Sequence, residues 1–77
     1  MIKKFIVTAE GEGRLDILSR ISMLFMQRHI DVESLTYQPH EGLTSRYQVF
    51  ASSTEETIRK VVAQMGHIEG LMKISYE

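Results

Sequence analysis

The order in which the apolar period changes along the chain is the feature that most constrains its fold. Residues 4–9 (KFIVTA) are mostly β-branched or aromatic, and Phe5, Val7 and Ala9 share one face at a period of two, which predicts a strand. Glu10 to Gly13 holds two glycines and no apolar residue, and reads as a loop. From about Arg14 the period becomes helical. Ile17, Ile21, Leu24 and Phe25 fall at i, i+4, i+7 and i+8 with Leu18 beside them, and Asp16 and Arg20 make a well-oriented i, i+4 pair. Residues 31–38 and 44–51 return to strand composition, with the turn residues Pro39, His40, Glu41 and Gly42 between them. Ser53 with Glu56 forms a capping-box pattern ahead of Ile58, Val61, Val62 and Met65, and Gly66 is placed to end that second helix. From about Leu71 the alternation of Met72, Ile74 and Tyr76 predicts a last strand.

The resulting order, βαββαβ, is that of an α+β ferredoxin-like fold: a four-stranded antiparallel sheet with two helices on one face. Right-handed crossovers put the first and third strands in the middle. Residues 1–77 form one domain, at the small end of what buries a self-sufficient core. An exposed strand edge remains, and pairing it with a second copy would cover it, so a homodimer is expected.

Charge and composition narrow the function classes. The formal charge of −1 gives no broad attraction for nucleic acid or an anionic membrane, and no apolar run is long enough for a membrane span, so a cytoplasmic location is expected. Cysteine is absent, which excludes disulfides, thiolate metal sites and cysteine nucleophiles. His29, His40 and His67 are not spaced as metal ligands, so no metal is expected. A catalytic set drawn from Asp16, Ser19 and His29 lacks any nucleophile motif. Ser45 to Phe50 puts Tyr47 and Phe50 on opposite faces and has no glycine, unlike a base-stacking RNA-binding strand. Met23 and Met26 lie off the core stripe of the first helix, as flank cover or as docking surface. The glycine-bearing entry to that helix is a place where free N–H groups and the helix dipole could receive a small anion.

With this element order and a glycine-bearing loop after the first strand, the chain resembles an ACT domain. Residues 18–36, LSRISMLFMQRHIDVESLT, resemble the regulatory small subunit of acetolactate synthase, in its short single-domain type. That family's pattern runs leucine, any residue, arginine, a β-branched residue, two residues and leucine-phenylalanine, then an arginine pair or glutamine-arginine. It continues to asparagine, a β-branched residue and glutamate-serine-leucine. The resemblance implies a non-catalytic subunit that carries no cofactor and activates the thiamine-diphosphate-dependent catalytic subunit. It also implies a side-by-side homodimer whose sheets join, with a branched-chain amino acid as effector between the two domains. A free-standing amino-acid-binding ACT module with another partner is the alternative. An acylphosphatase-like enzyme on this fold would need an arginine-bearing phosphate loop that the first loop does not match.

The effector residues implied by the resemblance are Gly13, Arg14, Leu15, Asp16, Ile17 and Leu18 at the helix entry, with Asp31 and Val32 after the helix. Two registers against the family's asparagine, two residues, glycine, one residue, leucine remain open. Without a gap, Gly13 replaces the asparagine and Asp16 the glycine. With a gap, Glu10 replaces the asparagine while Gly13 and Leu15 supply the glycine and leucine. Asp31 replaces a second asparagine in both, putting an acceptor-only carboxylate where an amide both donates and accepts. An aspartate in the first helical turn competes with a ligand carboxylate for the dipole.

Overall fold

The structure, a computed structural model, describes residues 1–39, 42 and 44–77. Its elements follow the expected order: β1 (Lys3–Glu12), α1 (Leu15–Gln27), β2 (Asp31–Pro39), β3 (Thr44–Ser53), α2 (Glu55–Met65) and β4 (Leu71–Tyr76). The four strands form one antiparallel sheet in the order β2-β3-β1-β4, so β1 and β3 are central as the crossover rule requires. The hairpin turn read at residues 39–42 includes His40 and Glu41, which lie outside the described residues.

The core lies between the sheet and the helices. Phe5, Val7 and Ala9 of β1, Tyr47, Val49 and Ala51 of β3, Ile17, Ile21 and Phe25 of α1, and Ile58, Val61 and Met65 of α2 are all buried. Each set repeats at the period of its own element, which is why the sequence pattern exposed it.

The ends of the elements differ from the expected ones. Glu10, Gly11 and Glu12 are not a loop but the end of β1, paired with Arg46, Ser45 and Thr44. Backbone pairing holds them extended whatever their side chains, and Glu10 on the open face meets Arg46 at 3.2 Å. α2 is capped by Thr54, whose Oγ1 accepts from the Thr57 backbone N–H at 3.2 Å, while Ser53 is the last residue of β3 and buried. The capping box with Glu56 therefore does not form. Gly66 does sit at the end of α2, but right-handed at φ −62°.

Met72 does not share a face with Ile74 and Tyr76. Glu10 pairs with Lys73 and Gly11 with Leu71, so Met72 is the extra residue of a β-bulge and is 67% exposed. α1 ends in a Schellman arrangement without glycine. The Ile30 N–H donates to the Phe25 carbonyl at 3.2 Å and the His29 N–H to the Met26 carbonyl at 3.0 Å, with His29 left-handed at φ +54°.

Candidate functional site

At the top of the central strands, β1 hands over to α1 through Gly13 and Arg14. Arg14 is the N-cap residue in extended conformation, Leu15 is the first helical residue and Asp16 lies in the first turn. Gly13, not Asp16, is thus the glycine of the turn. Glu10 lies on the open face of the sheet, away from it.

Tyr47 holds the turn from below. Its hydroxyl donates to the Glu12 carbonyl at 2.5 Å and accepts from the Arg14 backbone N–H at 3.2 Å. Its ring stacks on Tyr37, with centroids 5.0 Å apart and planes 6° from parallel. A Cβ on Gly13 would overlap the Ser45 hydroxyl and come within 3.2 Å of the Tyr37 hydroxyl, so this glycine lets the turn settle onto the tyrosine pair. Sequence reasoning missed Tyr47, because its partners are backbone atoms more than thirty residues away in the chain.

Above the turn the charges satisfy one another. The Arg14 guanidinium donates to Glu12 at 2.9 Å, to Asp16 at 3.1 Å and to the Glu69 carbonyl at 3.4 Å. α1 has no side-chain cap, and its first turn is met by the carboxylate of Asp16 instead. Glu12 and Asp16 occupy the Arg14 guanidinium, and Arg20 reaches Asp16 at 4.0 Å, so the entry's positive charge is already paired and its pull on an anion is weakened.

The remaining implied residues separate. Ile17 is fully buried in the core and Leu18 is packed against it, whereas Leu15 is 71% exposed. Asp31 and Val32 stand at the opposite end of the sheet. Asp31 pairs with Ser52, which pairs with Lys4, eight residues of β1 away from Glu12; at ~3.3 Å per residue this is roughly 26 Å. Beside Val32 lies an apolar cleft of about 290 Å³ between α1 and β2, lined by Ser22, Phe25, Met26, Ile30, Val32, Leu35 and Val49. Among the described residues, no group of three histidine or acidic side chains could hold a metal ion. None of the described helices is long and apolar enough to cross a membrane.

Burial pushes the pKa of the Tyr47 hydroxyl up, partly offset by its hydrogen bond to the Arg14 backbone. A raised acid pKa favours the protonated native state. The contribution is therefore fully present below the unfolded value of about 10 and is lost as pH rises through the folded one. Tyr47→Phe removes both bonds and leaves the Arg14 N–H unpartnered. It is expected to cost about 1–3 kcal/mol in urea unfolding at neutral pH, with the gap to the parent protein narrowing above about pH 10. An unchanged midpoint at neutral pH would show that the hydroxyl does not hold the turn.

No family model matches the chain, and no curated protein does. Solved structures do. The ACT domain from GTP pyrophosphokinase of Chlorobium tepidum superposes with a TM-score of 0.78 over 100% of both chains at 6% identity. This chain has the fold of an ACT domain. Acetolactate synthase small subunit from Thermotoga maritima superposes on 96% of the chain with a TM-score of 0.81 at 17% identity. The chain spans about half (47%) of that subunit's length. An uncharacterized protein from the same organism, also 17% identical, matches 100% of this ACT fold and 96% of its own length with a TM-score of 0.77.

Proposed function

We propose that this ACT domain is a regulatory, non-catalytic subunit of acetolactate synthase in branched-chain amino acid biosynthesis. It would act in the cytoplasm as a homodimer on a catalytic subunit that holds the thiamine diphosphate. The observation that carries the reading is the run Leu18 to Thr36. It resembles the small-subunit pattern and spans most of α1 and the edge strand β2, through which two copies could pair.

The geometry supports the dimer and the effector residues together. Leu15, Leu18, Ser22 and Met26 fall at i, i+3, i+7 and i+11 on the flank of α1 above β2, beside the exposed Val32. Pairing two copies of β2 antiparallel across a two-fold axis would set Asp31 of one copy against the Pro39 end of the other. Pro39 pairs with Ser45, and Ser45 with Gly11, so that end is where β1 leaves for Gly13 and Arg14. Asp31 and Val32 of one protomer then approach Gly13 to Leu18 of its partner, although they are far apart within one chain. The self-paired Arg14 and the first-turn Asp16 favour an effector held weakly, its ammonium by Asp31.

Mixing the chain with an acetolactate synthase catalytic subunit should raise acetolactate formation and give a complex on size exclusion. No complex at micromolar concentration refutes the reading. A second reading is an amino-acid-sensing module for another partner, favoured by the equally complete superposition on the GTP pyrophosphokinase domain. It predicts saturable binding of valine, leucine or isoleucine in calorimetry without any synthase contact.

A further inference from the structure

The dimer described above covers the β2-facing flank of α1 and leaves the opposite flank free. On that side Arg20, Met23, Leu24 and Gln27 of α1 face Gln64, His67 and Ile68 across a groove of about 210 Å³. Its floor is apolar: Ile68 is buried, Leu24 half-buried and Met23 54% exposed. No carboxylate is among the lining residues. Arg28 stands at the rim, its Nε donating to Gln64 Oε1 at 2.7 Å. Among the described residues it is the one arginine paired with an amide instead of a carboxylate. Arg20 reaches Asp16 only at 4.0 Å, in an exposed pair that holds it weakly. The rim is therefore locally basic in a chain whose formal charge is −1. Arg20 and Arg28 are eight positions apart on one helix, roughly 12 Å or about two turns at ~1.5 Å per residue.

We propose that this groove docks an acidic amphipathic helix of a partner protein. The helix would set apolar side chains on Met23, Leu24 and Ile68 and carboxylates two turns apart on Arg20 and Arg28. A helix of that pattern matches both the spacing of the guanidiniums and the apolar floor between them, and a phosphate backbone has no use for the floor. The inference rests on the reading that the chain acts through a protein partner, and it names the surface.

The probes are an amphipathic helical peptide of about fifteen residues with glutamates two turns apart around leucines, the same peptide with lysines in place of the glutamates, and a single-stranded DNA of similar length. With the full chain in solution, the glutamate peptide should shift the amide resonances of Arg20, Met23, Gln27, Gln64 and His67. The lysine peptide and the DNA should not. The double variant R20E/R28E should bind the glutamate peptide about tenfold more weakly or worse, with its thermal midpoint confirming that it is folded. Absence of groove shifts, equal binding of the lysine peptide, tighter binding of DNA in the groove, or parental affinity in R20E/R28E each overturns the proposal. The same variant is then mixed with the acetolactate synthase catalytic subunit. If parent and variant bind it equally, the groove is overturned and the subunit role stands. If the parent does not bind it, the subunit role falls and the peptide result alone decides the groove.

Discussion

Gly11→Val is expected to destabilise the domain by about 3 kcal/mol or more, enough to remove a large share of the stability of a chain this small. Gly11 lies in β1 between β3 and β4, buried on the helix-facing side of the sheet. A Cβ there would overlap the Gly70 carbonyl oxygen and stand 2.8 Å from the Leu71 Cα. Both are backbone atoms, so no rotamer change relieves the clash. The Glu12 N–H donates to that same Gly70 carbonyl at 2.9 Å, and moving the strand aside sacrifices this bond at about 1 kcal/mol. The two further methyl groups of valine enlarge the overlap and loosen the packing of Leu71 and Ile74 on the core. Urea unfolding read by circular dichroism checks the result. A midpoint within error of the parent protein would mean that β4 does not approach Gly11 this closely.

That glycine shows where the sequence was legible and where it was not. The order of elements and the core could be read because side-chain period records which face is buried, and Ile17, Ile21 and Phe25 or Phe5, Val7 and Ala9 sit where the period put them. Strand ends could not be read, since Glu10 to Glu12 are held by backbone hydrogen bonds that leave no mark on side-chain type. The bulge at Met72 is hidden for the same reason. Ser53 and Thr54 are adjacent and both suit an N-cap, and only the length of β3 decides between them.

Glycines near a helix entry suggest a ligand, yet Gly11 and Gly13 are each explained by close packing inside the chain. The residues of the candidate site were visible by type, but their separation between Gly13 and Asp31 was not, because that distance is a property of sheet register. Met23 and Met26 looked like one surface in the sequence. They are neighbours on the outer surface of α1, yet they line different grooves.

That division of α1 makes the oligomeric state sensitive to one side chain and indifferent to the other. Met26→Glu is expected to convert the proposed dimer to a monomer, raising its dissociation constant roughly a thousandfold. Met26 is 67% exposed in the single chain and lines the cleft with Val32 and Leu35. Burying it against a second copy contributes about 2 kcal/mol per side chain, and two-fold symmetry counts it twice, so its loss alone approaches ~4 kcal/mol. A glutamate in its place also brings an unpaired carboxylate into an apolar interface, which adds to the cost. Met23→Glu introduces the same charge on the flank facing α2 and should leave the dimer intact while weakening the acidic-helix docking. Sedimentation equilibrium of the parent and the two variants separates the flanks, with circular dichroism confirming that each is folded. If Met26→Glu sediments as the parent does, the copies are not joined through β2 and this flank of α1. The meeting of Asp31 with the partner's Gly13 to Leu18 then falls with that interface, because within one chain the sheet holds those residues at opposite ends.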